Sequence, residues 1–297
     1  MKINGVSVVD TFAEAFGSHY SRFLITAKSE KWAEIAAREV TGFASSIIGC
    51  SAEGGVESYL DGEITPDGRP GAVVQIWTGK KKMLHELLDR IGQCVLTAPT
   101  TAIFNWCGDG CETVDVGRKM RYFGDGYAQK TKIDGRRMYA IPIMMGEFLI
   151  ERDIGFSKGV AGGNFLIMGS NLDSSLSAAE AAEAAIAGVE GVITSFPGGV
   201  CASGSKVGSN KYEFMKATTS ELFCPTLRNE VSGSMVPEGV GSIAEIVLNG
   251  VSRDAVALAM KQGIEAAASV DGVKQISAAN YGGTLGNVPI KLYELWG

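Results

Sequence analysis

Apolar positions along the 297-residue chain recur with a period of two in some stretches and near 3.6 in others. Together they lay out four similar β-α-β stretches. The first predicts a strand at 22–26, a helix at 31–40 and an apolar strand at 44–50. The second predicts a strand at 72–77, a helix at 81–91 and an apolar stretch after Gly92. The third predicts a strand at 164–169, an Ala-rich helix at 176–187 and a strand at 191–194. The fourth predicts a strand at 245–250, a helix at 253–269 and a strand from Gly272 to Ile276.

The third and fourth stretches coincide under one shift of 81 residues. Gly169 falls on Gly250, Val189 on Val270, Glu190 on Asp271, Gly191 on Gly272 and Val192 on Val273. The first two repeat more faintly, at a shift of about 50. Two such units side by side make a split β-α-β arrangement. The fold class expected is α+β, with two ferredoxin-like lobes over 1–146 and 147–297. Between them, strands at 118–123, 127–133 and 136–143 read as an inserted β-meander. Its turns, Gly124-Asp125-Gly126 and Asp134-Gly135, supply the positive φ that tight hairpins require.

Composition narrows the function. The 39 glycines show no three-residue period, which excludes collagen and leaves turns and loops where backbone approaches a ligand. The net charge is −6 with no basic stripe, which argues against a nucleic-acid partner. No apolar run approaches the ~18 residues of a spanning helix, and Met1-Lys2-Ile3-Asn4-Gly5 has no signal-like pattern. A cytoplasmic protein without a membrane partner is expected. Of six cysteines only Cys107 and Cys111 are close, with no second pair to complete a zinc site, so no metal is expected. Two histidines and no G-x-S-x-G leave little material for Ser-His-Asp or Cys-His chemistry.

Four stretches are candidates for chemistry. The densest glycine run, 196–208, follows a predicted strand and includes Gly198, Gly199, Ser205 and Lys206. It fails the G-x4-G-K-[ST] pattern, because Ser205 intrudes and Val207 follows Lys206. The loop can still offer backbone N–H groups and Lys206 to an anion, or be purely structural. On the strand after 243, alternation puts Glu245 on the face of Ile243 and Val247. A carboxylate on an apolar sheet face has its pKa raised by desolvation and suits a general acid near pH 7. An edge-strand ion pair is the competing reading. The uncharged run 92–101, ending in Thr100 and Thr101, could line a pocket for a flat polar ring or be core. In the turn Thr-Pro-Asp-Gly-Arg-Pro at 65–70, Arg69 could grip a carboxylate or simply be solvated.

Several long stretches resemble one family, the formylmethanofuran–tetrahydromethanopterin formyltransferases. They include Met-Lys-Ile-Asn-Gly-Val at 1–6, Asp-Thr-Phe-Ala-Glu-Ala-Phe at 10–16, 63–71, 92–101, Gly-Val-Ala-Gly-Gly-Asn-Phe at 159–165, 196–208, Pro-Glu-Gly-Val at 237–240, 245–250 and Asn-Tyr-Gly-Gly at 280–283. Departures fall at 42–56 and at Ala244, where an aromatic is expected. The resemblance implies a two-lobed α+β homotetramer with no metal and no tightly bound cofactor. Methanofuran and tetrahydromethanopterin would be its coenzyme substrates. The family's Glu-Ile-Val motif falls on Glu245, which would be the general acid. Thr100, Thr101, Gly198, Gly199, Ser205, Tyr281 and Gly282 are the candidates for contacting the coenzymes, and, on physical grounds alone, Lys206 and Arg69 are candidates for their anionic tails. The alternatives are a non-catalytic pterin- or anion-binding module and an interaction subunit of a formyl-handling complex.

Overall fold

The computed structural model describes residues 1–297. The chain opens with the short strands β1 (Lys2–Ile3) and β2 (Val6–Val8) and the long strand β3 (Phe12–Thr26). It forms two compact units: Met1–Gly17 with Gly159–Gly297, and Ser18–Lys158. Gly146, taken above as the lobe boundary, is a positive-φ residue that opens a strand inside the second of these.

In the unit Ser18–Lys158, β3 leads to α1 (Glu30–Thr41), β4 (Glu53–Leu60), β5 (Gly71–Thr78), α2 (Met83–Arg90) and β6 (Ala102–Asn105). The strand order is β4-β5-β3-β6, all antiparallel. After β6 come β7 (Glu112–Val114), α3 (Val116–Met120), β8 (Gln129–Ile133), β9 (Arg136–Ile143) and β10 (Gly146–Glu151). The last three form an antiparallel meander whose β10 pairs parallel with β6. Phe23, Val74 and Ile76 of the sheet pack on Ala36, Val40 and Leu87 of the helices, all fully buried.

Three elements depart from the sequence pattern. The expected strand at 44–50 is a run of turns, and β4 begins at Glu53. Its Ile47 and Ile48 are partly exposed, and the Ile47 N–H is capped by the Glu53 carboxylate at 3.0 Å. The stretch after Gly92 continues helically as a single wide turn, Ile91–Val95, before β6. The expected first meander strand, 118–123, is instead α3 followed by a 3₁₀ turn, Arg121–Gly124. Val116 and Met120 are buried four residues apart, which is the helical period. Gly117 lets this helix touch the backbone, since a Cβ there would lie 2.2 Å from the Glu151 carbonyl.

In the other unit, β11 (Ile154–Gly169) leads to α4 (Leu172–Ile186), β12 (Val192–Thr194) and β13 (Val200–Cys201). A two-stranded ribbon follows, β14 (Lys206–Val207) with β15 (Ala217–Thr218). Then come β16 (Ser242–Gly250), α5 (Arg253–Ala267), β17 (Val273–Ser277) and β18 (Val288–Lys291). The order is β12/β13-β16-β11-β17, again antiparallel, with β2 parallel beside β17. The two helices keep the 81-residue shift at both ends, and so do their N-caps, Asn171 and Ser252. Each cap side chain accepts a backbone N–H three residues on, from Ser174 and Ala255.

Small residues let α4 and α5 sit close on the sheet and on each other. Ala178, Ala179 and Ala182 of α4 are fully buried, and the helices pack side by side. Val256 of α5 fills the space left by two sheet glycines. A Cβ on Gly163 would lie 2.4 Å from Val256 Cγ1, and one on Gly250 2.8 Å from Cγ2. Gly163→Ala is therefore expected to lose about 1–3 kcal/mol of stability by overpacking. Denaturant unfolding checks this, and Val256→Ala in the same chain should restore part of the loss.

Candidate active site

On β16, Ala244, Ile246 and Leu248 face the helices, while Ile243 and Glu245 point to the opposite face. That face is also apolar. Leu166, Met168, Val236 and Val240 cover it, with Phe223, Ile243 and Ala279 packed around them. Glu245 sits opposite Leu166 on β11 and opposite Cys201 on β13. Its carboxyl is the only carboxyl lining a cavity of about 140 Å³. The loop 201–205, Phe223, Thr226 and Ala279 supply its walls.

Burial pushes the Glu245 pKa up to about 7, and a hydrogen bond from Cys201 pulls the other way. The Cys201 thiol is itself pushed up, by burial and then by the charge of Glu245. Both protonation states of Glu245 are thus accessible at neutral pH. Gly204, in the left-handed region at φ +51°, brings bare backbone past the carboxylate. A Cβ added there would lie 3.9 Å from Glu245 Oε2.

The 281–286 loop is anchored by a residue the sequence pattern did not single out. Glu14, only 8% exposed, accepts backbone N–H groups from Tyr281 (2.6 Å), Gly283 (3.2 Å), Leu285 and Gly286 (2.8 Å). Burial alone would raise its pKa, but these four donors outweigh it and hold the carboxyl below the usual range. Gly286 is required because a Cβ would lie 2.4 Å from the Ala15 carbonyl. Tyr281 then reaches the cavity loop. Its hydroxyl accepts the Val207 N–H at 3.1 Å and donates to the Ser205 carbonyl at 3.3 Å. Gly282, at φ +69°, donates its N–H to Asn280.

The expected site residues fall into separate groups. Glu245 and Ser205 line the same cavity, with Tyr281 bonded behind Ser205. Gly198 and Gly199 form a left-handed turn at the start of the loop, and Gly199 lies against Glu183 of α4. Lys206 is bonded to Glu221 at 2.5 Å and to the Thr219 carbonyl at 3.0 Å. In the other unit Arg69 binds Asp67 at 2.7 Å, Thr26 at 3.0 Å and the Thr100 carbonyl at 2.5 Å. Thr100, at φ +66°, accepts the Lys28 N–H, and Thr101 is buried with its hydroxyl on the Val95 carbonyl. Arg69 and Lys206 each already have a carboxylate partner within the chain. No group of three or more His, Cys, Asp or Glu side chains comes together as a metal cage.

Sequence reasoning missed Cys201 and Glu14. Cys201 lies across a register that no local pattern reveals, and Glu14 is more than 260 residues from the loop it holds.

Known proteins give the geometry its context. The family profile described as formylmethanofuran-tetrahydromethanopterin formyltransferase matches residues 1–143, and the one described as its proximal lobe matches 146–295. The formyltransferase of Methanothermobacter thermautotrophicus is 55% identical over 297 residues, and that of Methanocaldococcus jannaschii 56% over 300, with both chains covered in full. The solved formyltransferase of Methanosarcina barkeri superposes with a TM-score of 0.97 at 52% identity over the whole of both chains. A formyltransferase/hydrolase complex from Methylorubrum extorquens, crystallised with methylofuran, contains a chain that superposes at 0.94 with 39% identity. It covers 100% of this chain and 99% of that one.

A mixed α+β fold matched over its full length to these proteins defines an acyl-group transferase. The chain belongs to the formylmethanofuran–tetrahydromethanopterin formyltransferase family. It transfers a formyl group from formylmethanofuran to tetrahydromethanopterin, both of which act as coenzyme substrates. The alternatives of a non-catalytic module or a purely structural subunit are set aside.

Proposed function

We propose that Glu245 is the general acid of the transfer, and that the formyl group reacts in the cavity it lines. The observation that carries this is the one carboxyl lining the cavity, held near pKa 7 on an apolar sheet face between Cys201 and Leu166. The pterin amine attacks the formyl carbon to give a tetrahedral oxyanion. The methanofuran nitrogen is a poor leaving group until protonated. Glu245 donates that proton, the C–N bond breaks, and the carboxylate recovers a proton from the attacking nitrogen. The small polar wall at Ser203, Gly204 and Ser205 is the candidate for stabilising the oxyanion. Orientation of two large coenzymes contributes the rest of the rate. An anionic coenzyme tail at Lys206 or Arg69 would replace an internal carboxylate.

The acid must be protonated, so turnover should fall as pH rises through the pKa of Glu245 in the substrate complex. Cys201 lowers that pKa by its hydrogen bond. Cys201→Ala is therefore expected to move the alkaline limb of the kcat profile to higher pH. A limb that stays in place would mean that another group titrates.

The strand order β12/β13-β16-β11-β17, matched by β4-β5-β3-β6, supports a ferredoxin-like lobe in each unit. A division into functional lobes at 1–146 and 147–297, a homotetramer and a cytoplasmic location complete the proposal. No helix is long and apolar enough to cross a membrane.

A further inference from the structure

In the unit Ser18–Lys158, away from any residue assigned above, a cavity of about 630 Å³ is lined by Arg118, Arg121, Lys130, Lys132, Arg137 and Arg152. Tyr139 and Met138 complete its wall. The chain as a whole is acidic, with a net charge of −6, so six cations on one cavity are a local inversion. Two carboxylates pair with them. Asp115 holds Arg118 at 3.4 Å, and Asp153 is shared between Arg137 at 3.2 Å and Arg152 at 3.5 Å. Six positive charges against two negative ones leave an excess of four.

Two features show that the excess is unrelieved within the chain. First, Arg121 lies over the rings of Tyr122 and Tyr139, at 5.3 and 5.7 Å, and makes no ion pair. Its Nε is inaccessible to solvent and has no hydrogen-bond acceptor, whereas the Arg152 Nε, which also makes no hydrogen bond, lies 3.5 Å from the Asp153 carboxylate. An unpartnered buried donor costs free energy. Second, β8 and β9 set Lys132 directly opposite Arg137 and Lys130 opposite Tyr139. Like charges facing each other across a strand pair destabilise it. Neither lysine has a carboxylate partner. A bound anion would pair with the cationic groups that line the cavity and cancel the cross-strand repulsion.

We propose that this cavity binds a small polyanion, one that carries two or more carboxylate or phosphate groups. Its volume falls within the ~300–1,000 Å³ range of small-molecule sites. Guanidinium groups that offer paired donors suit either oxyanion. The Tyr139 ring gives the ligand an apolar contact beside the charges.

The test is isothermal titration of the full chain with pyrophosphate and, separately, with citrate, at ionic strength held constant with sodium chloride. One saturable site is expected. Lys130→Ala/Lys132→Ala removes two exposed, unpaired side chains and should weaken binding at least tenfold with far-UV circular dichroism unchanged. Arg121→Met should weaken it similarly while keeping contact with the tyrosines. Tighter binding of pyrophosphate would assign a phosphorylated ligand, and tighter binding of citrate a polycarboxylate. No saturable heat above the chloride control, or equal affinity in the double variant, would overturn the proposal. Because the readout is binding and not turnover, its failure leaves the role of Glu245 untouched.

Discussion

Glu245→Gln is expected to fold normally and to lose about 10²–10⁴-fold in kcat, the usual contribution of a positioned acid–base group. The amide keeps the shape of the side chain but cannot release a proton to the departing nitrogen. KM for either coenzyme should change little, because the interaction lost is one made as the C–N bond breaks. Steady-state kinetics with both coenzymes read this directly. The same variant should also be the more stable protein at pH 8. Wild-type Glu245 has a folded pKa raised to about 7. The stability tied to its proton is present in full below the unfolded carboxylate value and is lost as pH rises through the folded one. Glutamine has no proton to lose. A gain of roughly 1–3 kcal/mol in denaturant unfolding at pH 8, absent at pH 4, is expected. A variant that is slow but no more stable at pH 8 would mean that the carboxylate ionises without strain.

Glu14→Ala should be the most damaging substitution for the loop behind the site. It leaves four backbone donors, at Tyr281, Gly283, Leu285 and Gly286, without their acceptor. Water can reach some of them once the loop opens, so a loss of about 2–4 kcal/mol is expected rather than the full sum of four bonds. Hydrogen exchange should locate it, with protection lost at 281–286 before the rest of the unit. Tyr281 would no longer hold Ser205 and Val207, so kcat should fall although Glu245 is intact. The pH dependence has the opposite sign to that of Glu245. The folded pKa of Glu14 is depressed, so its stabilisation is present above the unfolded carboxylate value and is lost as pH falls through the folded one. Wild type and variant should converge in stability at strongly acid pH.

Much of this frame was legible in the residues. The 81-residue shift of Gly169 on Gly250 and of 189–192 on 270–273 brackets α4 and α5, although α4 begins at Leu172, four residues before the expected start. Alternation alone put Glu245 on one face with Ile243, and that face proved apolar. The failures share a cause, since short segments are decided by their tertiary partners. Two adjacent isoleucines at 47–48 look like a strand, yet nothing in the fold offers them a ladder. Gly117 marks a helix only once the Glu151 backbone is known to lie against it. Arg69 and Lys206 read as free cations because Asp67 is two residues away in a turn and Glu221 lies on a separate segment. Charge in a sequence is visible, but its neutralisation is not.

Asn164 and Glu245 are the same position in the two repeats, each on a central strand and 81 residues apart. The antiparallel pairing of β11 with β16 relates them by an approximate two-fold axis that passes between the strands. The chain has broken that symmetry in chemistry while keeping it in backbone. Asn164 closes a pair of hydrogen bonds with Ala279, accepting its N–H at 2.7 Å and donating to its carbonyl at 3.0 Å. That neutral copy sutures the end of the sheet and fixes Ala279 as a wall of the cavity. The acidic copy is released from any such suture and meets only a thiol. One pair of equivalent positions thus carries a structural amide in one repeat and a buried carboxyl in the other.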